Sequence, residues 1–167
     1  MKQSIEILKK NRTSPRDFFL HLLAMITLYI SAISFLTLMF QIINVIIPDP
    51  VEYAGYYDHS SSRYGTMRFA IASLLVVFPT YLGVSWYLEK LYRLHREKRM
   101  LGIRKWLIYL TLFIASLIII GDWIALIYSL LGGELKIRFL LKASAILFVS
   151  GSVFYYYLTD IRNHKVE

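Results

Sequence analysis

Four long apolar runs, separated by short polar segments, constrain the fold of this chain more than any other feature. Crossing the hydrocarbon core of a bilayer takes a helix of about 20 mostly apolar residues, and each run reaches that length. With 57% hydrophobic residues, the composition is also too apolar for an ordinary soluble domain. We therefore expect an all-α membrane protein, a four-helix transmembrane bundle with spans at 17–47, 66–92, 105–131 and 135–158.

The four spans use most of the 167 residues and leave no room for a second domain. We expect a polar cytoplasmic head at 1–16, a single transmembrane domain at 17–160 and a cytoplasmic tail at 161–167. The first apolar run is too long for the core of a cleaved signal peptide, which is about 7–15 residues. It is therefore expected to remain as the first span.

Helix boundaries are marked by local signals. Ser14-Pro15-Arg16-Asp17 has the pattern of a helix start, since Ser can cap free amides and Pro suits the first helical position. Pro48-Asp49-Pro50 is expected to end this helix. A Tyr-rich loop is expected at 48–65, and Pro79 is expected to kink the second span.

The turn between the last two spans is very short. Its sequence is Gly132-Gly133-Glu134, which leaves too few residues for a crossover connection. The third and fourth helices are therefore predicted to be antiparallel neighbours.

Basic residues indicate the orientation, because cytoplasmic segments of membrane proteins are enriched in Lys and Arg. The head, the segment between the second and third spans, and the tail share this enrichment: Lys2, Lys9, Lys10, Arg12, Arg16, Arg93, Arg96, Lys98, Arg99, Arg104, Lys105, Arg162 and Lys165. The loop at 48–65 has Arg63 alone. Both termini are therefore predicted to be cytoplasmic, in a multi-pass protein of the plasma (inner) membrane.

The formal net charge of +8 would by itself suggest nucleic acid as a partner. Most of this charge flanks the apolar runs, so it is better explained by topology and by contact with anionic lipids at the cytoplasmic surface. The expected partners are the lipid bilayer and either further copies of the chain or another membrane protein, with no nucleic acid.

A polar stripe follows one face of the first helix, at the spacing of about 3.6 residues per turn. Its members are Thr27, Ser31, Ser34, Gln41 and Asn44, extended by Asp17, His21 and Ala24. Lipid tails offer these groups no hydrogen bonds, so the stripe is predicted to face protein or water. It is either a helix-packing surface or part of a hydrated path. His21 is either an interfacial histidine or part of a proton relay.

An acidic residue, Asp122, lies deep in the third span. An ionised Asp at mid-membrane costs about 2.5–3.5 kcal/mol on insertion scales, so a compensating partner is expected. Arg138 and Lys142, one turn apart on the fourth helix, fall at similar depth, and Arg68 enters the second helix from the same side. These residues are predicted to form a charge cluster in the outer half of the bundle, with Glu134 at its rim.

Three explanations of this cluster stay open. It could be a structural salt bridge that fixes helix register, or Arg138 and Lys142 could reach the outer head groups. It could also be a site for an anionic group or a coupled proton. Nothing in the sequence names a ligand.

Catalytic and metal-binding patterns are absent from the sequence. No HExxH, GxSxG or paired-carboxylate arrangement occurs, and the chain has no Cys. The four histidines, His21, His59, His95 and His164, do not form a pair suited to haem. We therefore expect no enzyme activity, no cofactor and no metal.

Five segments of the chain resemble a known family: 15–19, 68–79, 104–122, 131–142 and 156–158. The family is a group of small four-helix bacterial membrane proteins, the domain of unknown function DUF5671. The resemblance covers about 14–162 and implies a four-span fold in a bacterial plasma membrane. It implies no activity.

From the sequence, the favoured function is that of a small non-enzymatic membrane protein, an accessory or structural subunit with a charge cluster in its outer half. The alternative is an ion- or proton-coupled channel or transporter, which would have to act as an oligomer because four helices leave little room for a path. A weaker alternative is an enzyme that acts on lipid or quinone.

Overall fold

The computed structural model describes residues 15–47, 60–94, 102–133 and 136–163, and this part of the chain consists of four helices. They are α1 (Pro15–Ile46), α2 (Ser60–Leu94), α3 (Gly102–Leu131) and α4 (Ile137–Asn163). All four are long and apolar enough to cross a membrane. The prediction of an all-helical chain with four such helices is confirmed.

Most of the helices extend beyond the predicted spans, into the polar residues that flank the apolar runs. Helix α1 begins at Pro15, at the predicted start signal, and ends at Ile46. Helix α2 begins at Ser60, so Arg63 and Tyr64 are helical and the prediction of a loop up to residue 65 is wrong there. Hydropathy marks the apolar part of a helix, whereas backbone hydrogen bonding continues into polar residues at either end. The remainder of the predicted Tyr-rich loop, 48–59, lies outside the described residues.

Helix α2 is continuous through Pro79. Proline removes one backbone donor from a helix, and a nearby hydroxyl can satisfy a carbonyl in the same region. The carbonyl that lacks its amide donor because of Pro79 is that of Leu75. Thr80 Oγ1 donates to the adjacent carbonyl of Val76 at 2.7 Å.

The turn after α3 requires a glycine. Gly133 has a φ of 71°, in the left-handed region that side chains with a Cβ rarely adopt. The amides of Gly132 and Gly133 donate to the carbonyls of Tyr128 and Leu130 at 3.1 and 3.2 Å, which ends the helix. Helices α3 and α4 then pack as antiparallel neighbours, as predicted.

Helix α1 is the centre of the bundle. It packs against α2 on one side and against α4 and α3 on the others, while α3 and α4 also pack together. Helix α2 packs chiefly against α1. The arrangement therefore consists of two helical hairpins joined through α1, with much of α2 exposed.

The largest fully buried side chain among the described residues is polar. Thr111 on α3 is 1% exposed. It donates to the carbonyl of Leu107 at 3.0 Å and accepts from the Tyr29 hydroxyl of α1 at 2.7 Å. Leu107, Ile108 and Met25 pack around it. A hydrogen bond thus joins α1 and α3 inside an apolar cluster.

Candidate functional site

The polar face of α1 points into the bundle. Thr27, Ser31 and Ser34 are buried, and Gln41 and Asn44 are half-buried. The predicted extension of the stripe is buried as well, at Asp17, His21 and Ala24. Thr27 donates to its own helix, at the carbonyls of Leu23 and Ala24, whereas Ser31 Oγ has no hydrogen-bond partner among the described residues.

The two bases of α4 contact α1. Arg138 donates through Nε and Nη2 to Asn44 Oδ1, at 2.9 and 2.7 Å. Lys142 Nζ lies 5.6 Å from the centre of the Phe40 ring, one turn away along α1. Arg138 thus connects α4 to the end of the polar stripe.

Asp122 is not brought together with these bases in the described residues. Its side chain is 8% exposed, and Oδ2 is buried without a hydrogen-bond partner there. Arg68 is exposed, and Glu134 lies outside the described residues. The depth argument placed Asp122 and Lys142 at one level of the bundle. Depth does not determine which neighbouring helix a side chain faces, and Arg138 and Lys142 face α1.

A cavity of about 460 Å³ lies at the opposite end of the bundle. We call it the His21 cavity. It is lined by residues from the C-terminal parts of α2 and α4 and from the N-terminal parts of α1 and α3. Its volume is within the range of small-molecule sites, which is about 300–1,000 Å³.

His21 connects α1 to α2 at this cavity. Nδ1 lies 2.6 Å from the backbone carbonyl of Asp17, so this nitrogen carries the proton and donates. In the neutral imidazole Nε2 is then the acceptor, and it bonds the hydroxyl of Tyr92. The two rings are also in contact, with centroids 5.7 Å apart.

Arg104 connects α3 to α2 and α4. Its Nη2 donates to Asp160 Oδ2 at 2.7 Å, and the two side chains are only 15% and 23% exposed. The guanidinium also lies 4.9 Å from the centre of the Tyr92 ring. His21, Tyr92, Arg104 and Asp160 thus form one set of contacts that joins all four helices, which we call the Arg104 network.

The sequence does not predict this network. From the sequence, Arg104 is explained by topology, Asp160 ends the transmembrane domain and His21 extends the polar stripe of the first helix. The sequence does indicate the depth of these residues in the membrane. All four lie within a few turns of helix ends that meet at one end of an up-down bundle. Which of these residues face one another depends on helix rotation, and the sequence does not give that rotation.

Four further aromatic side chains line the cavity, namely Tyr81, Trp86, Tyr156 and Tyr157. Glu89 adds a second carboxylate at the edge of the cavity. Among the described residues, no group of three or more His, Cys, Asp or Glu side chains could hold a metal ion. The cavity therefore combines aromatic faces with a small number of hydrogen-bonding and charged groups.

We predict that Arg104 and Asp160 are energetically coupled. In a double-mutant cycle with Arg104→Ala and Asp160→Ala, the coupling should be about 1–3 kcal/mol of unfolding free energy, because the pair is largely shielded from water. The measurement is reversible unfolding in detergent. The matched control is Arg93–Glu89, an ion pair of similar length (2.8 Å) whose side chains are 79% and 60% exposed. Its coupling should be about 0.3–0.5 kcal/mol, and equal coupling for both pairs would contradict the prediction.

Comparison with known proteins identifies the family. No curated protein and no solved structure gives a significant match to this chain. One family model, the domain of unknown function DUF5671, matches residues 17–157, which include all of the Arg104 network except Asp160. Since this match covers most of the chain, the protein belongs to the DUF5671 family.

Proposed function

We propose that this protein is a non-enzymatic, multi-pass protein of a bacterial plasma membrane that acts as an accessory or structural subunit. The observation that carries the proposal is the use of its interior polar groups. Tyr29–Thr111, His21–Tyr92, Arg104–Asp160 and Arg138–Asn44 each join two different helices. Such bonds hold helices together where lipid supplies no partners.

The exterior is suited to lipid or to a partner protein. Helix α2 packs chiefly against α1, and large apolar side chains such as Phe69, Leu75 and Val76 are about 70% exposed on it. A flank of this kind can be covered by acyl chains, by a second copy of the chain or by another membrane protein. The subunit proposal requires that another protein chain, or a second copy of this one, covers part of the α2 flank.

The orientation rests on the distribution of basic residues. We infer that both termini and the segment 95–101 are cytoplasmic, because Lys and Arg are concentrated there. The Arg104 network then lies on the cytoplasmic side, and the Arg138–Asn44 contact lies on the outer side. Anionic lipids would be the nearest partners of the basic segments.

An ion- or proton-coupled channel or transporter is the second candidate. Asp122 Oδ2 and Ser31 Oγ are buried polar atoms without a hydrogen-bond partner in the described residues, and unpaired polar groups in a membrane interior suggest an ion path. A path would have to be completed between protomers. The paired interior contacts favour the structural role.

Single-cysteine labelling tests the predicted topology. The natural chain has no Cys, so only the introduced residue can react. Ser61→Cys, near the start of α2, should react with a membrane-impermeant maleimide in intact cells. Met100→Cys should react only after the membrane is permeabilised, because Lys and Arg flank it. Labelling of Met100→Cys in intact cells would refute the orientation.

We predict that the α2 flank contacts protein. A photo-crosslinking amino acid at Leu75 should give one discrete adduct in native membranes, either twice the mass of the chain or the mass of a partner. Phe148 on α4 is the matched control, since the two side chains are 71% and 70% exposed. No protein adduct at Leu75, or the same diffuse adducts at both positions, would contradict the subunit proposal.

We predict that the purified wild-type protein passes no ions or protons in proteoliposomes under an imposed gradient. Asp122→Asn should then leave both the leak and the fold unchanged, because the side chain keeps its volume. Fluorescent dyes for pH and potential provide the measurement, with an added ionophore as the positive control. A wild-type flux that Asp122→Asn abolishes would establish the transport alternative instead.

A further inference from the structure

We propose that the His21 cavity binds the ammonium head group of an amphipathic molecule whose apolar tail leaves between α2 and α4. The inference rests on the membrane placement of the four helices and goes beyond the subunit role. Three features of the cavity support it: its position, its aromatic faces and the pairing of its charges.

The position suits an amphipathic ligand. Arg104 lies at the start of α3, and Tyr92 and Asp160 lie close to the ends of α2 and α4. In a spanning bundle, helix ends lie near the level of the lipid head groups. Helices α2 and α4 do not pack along each other as the two hairpin pairs do, so the cavity between them is bordered by the acyl-chain region.

The aromatic rings of the cavity already accept cations. Arg104 Cζ lies 4.9 Å from the centre of the Tyr92 ring, and Lys90 Nζ lies 5.4 Å from the centre of the Trp86 ring. The π-face of an aromatic ring attracts a cation within about 6 Å, and sets of such rings recognise quaternary ammonium groups. Tyr81, Tyr156 and Tyr157 add three rings to the same lining.

The carboxylates of the lining are both held in ion pairs. Asp160 pairs with Arg104 in the cavity, and Glu89 at its edge pairs with Arg93. His21 adds no charge in the tautomer that accepts from Tyr92. The guanidinium of Arg104 is therefore already held by a carboxylate, whereas an ammonium group would meet the aromatic faces.

Two sources could supply this chemistry. One is a membrane phospholipid with an amine in its head group, held as a resident lipid. The other is a lipophilic organic cation that enters the membrane from outside. Both place an ammonium group at the aromatic faces and an apolar chain in the gap.

Fluorescence of Trp86 provides the test. The chain has three tryptophans, and Trp106 and Trp123 are both exposed, so Trp106→Phe with Trp123→Phe leaves Trp86 as a single reporter at the cavity. The protein is placed in nanodiscs of digalactosyldiacylglycerol, a neutral lipid without an amine. We expect a saturable change of emission with dodecyltrimethylammonium and none with dodecyl maltoside, which has the same alkyl chain.

A variant of the cavity and a matched control sharpen the test. Tyr156→Leu should weaken binding about tenfold, because one cation–π contact is lost. Tyr128→Leu, at an exposed tyrosine near the other end of the bundle, should leave binding unchanged. Both tyrosines are largely exposed (59% and 80%), so both variants should fold, and thermal unfolding checks this.

The outcomes separate the proposal from its alternatives. Equal responses to the ammonium and maltoside amphiphiles, or equal binding by the Tyr156→Leu and Tyr128→Leu variants, would overturn it. Replacing half of the nanodisc lipid by phosphatidylethanolamine distinguishes the two sources. A resident amine lipid would compete and weaken the apparent affinity, whereas a foreign cation as the natural ligand predicts no competition.

Discussion

A bilayer offers no hydrogen bonds, and this constraint explains the central position of α1. Its buried face carries hydroxyl, imidazole and amide groups along most of its length. Each exposed polar group would lose its water partners in lipid, so this face is stable only when other helices surround it. Helix α1 accordingly packs against the other three helices, and α2, which packs chiefly against α1, lies at the side of the bundle.

The contacts that hold the bundle differ between its ends. At one end Arg104 joins helices through charge and aromatic faces, and at the other Arg138 bonds the Asn44 amide. Between them Thr111 and Tyr29 join α1 and α3 in apolar surroundings. Hydrogen bonds between membrane helices contribute about 0.6 kcal/mol on average, so the neutral pair Thr111–Tyr29 is expected to contribute less to stability than the shielded Arg104–Asp160 ion pair.

Sequence reasoning was most accurate where the determining physics is local. The start at Pro15 and the turn at Gly133 follow from backbone preferences of single residues, and both are seen. The inward face of α1 follows from helical periodicity and the cost of polar groups in lipid. Hydropathy did not reveal that α2 already begins at Ser60, because the polar residues there continue the helix.

Long-range contacts were the part that the sequence could not supply. Depth predicted that Arg138 and Lys142 lie level with Asp122, but it could not predict their contacts with Asn44 and Phe40 of α1, because rotation about the helix axis is set by packing. For the same reason the sequence does not predict the Arg104 network, in which His21 and Asp160 are 139 positions apart. The bacterial source, the orientation and the subunit role stay predictions.

The contact between Asn44 and Arg138 also has a consequence for the order of assembly. The two residues are 94 positions apart, so Asn44 enters the membrane well before its partner has been synthesised. Until α4 arrives, the end of the polar face on α1 is covered by at most two of its three final neighbours. Arg138, by contrast, enters last and finds its acceptor already in place. Insertion of the final helix therefore completes the bundle, and a chain interrupted before α4 would leave a polar strip of α1 facing lipid or the quality-control machinery of the membrane.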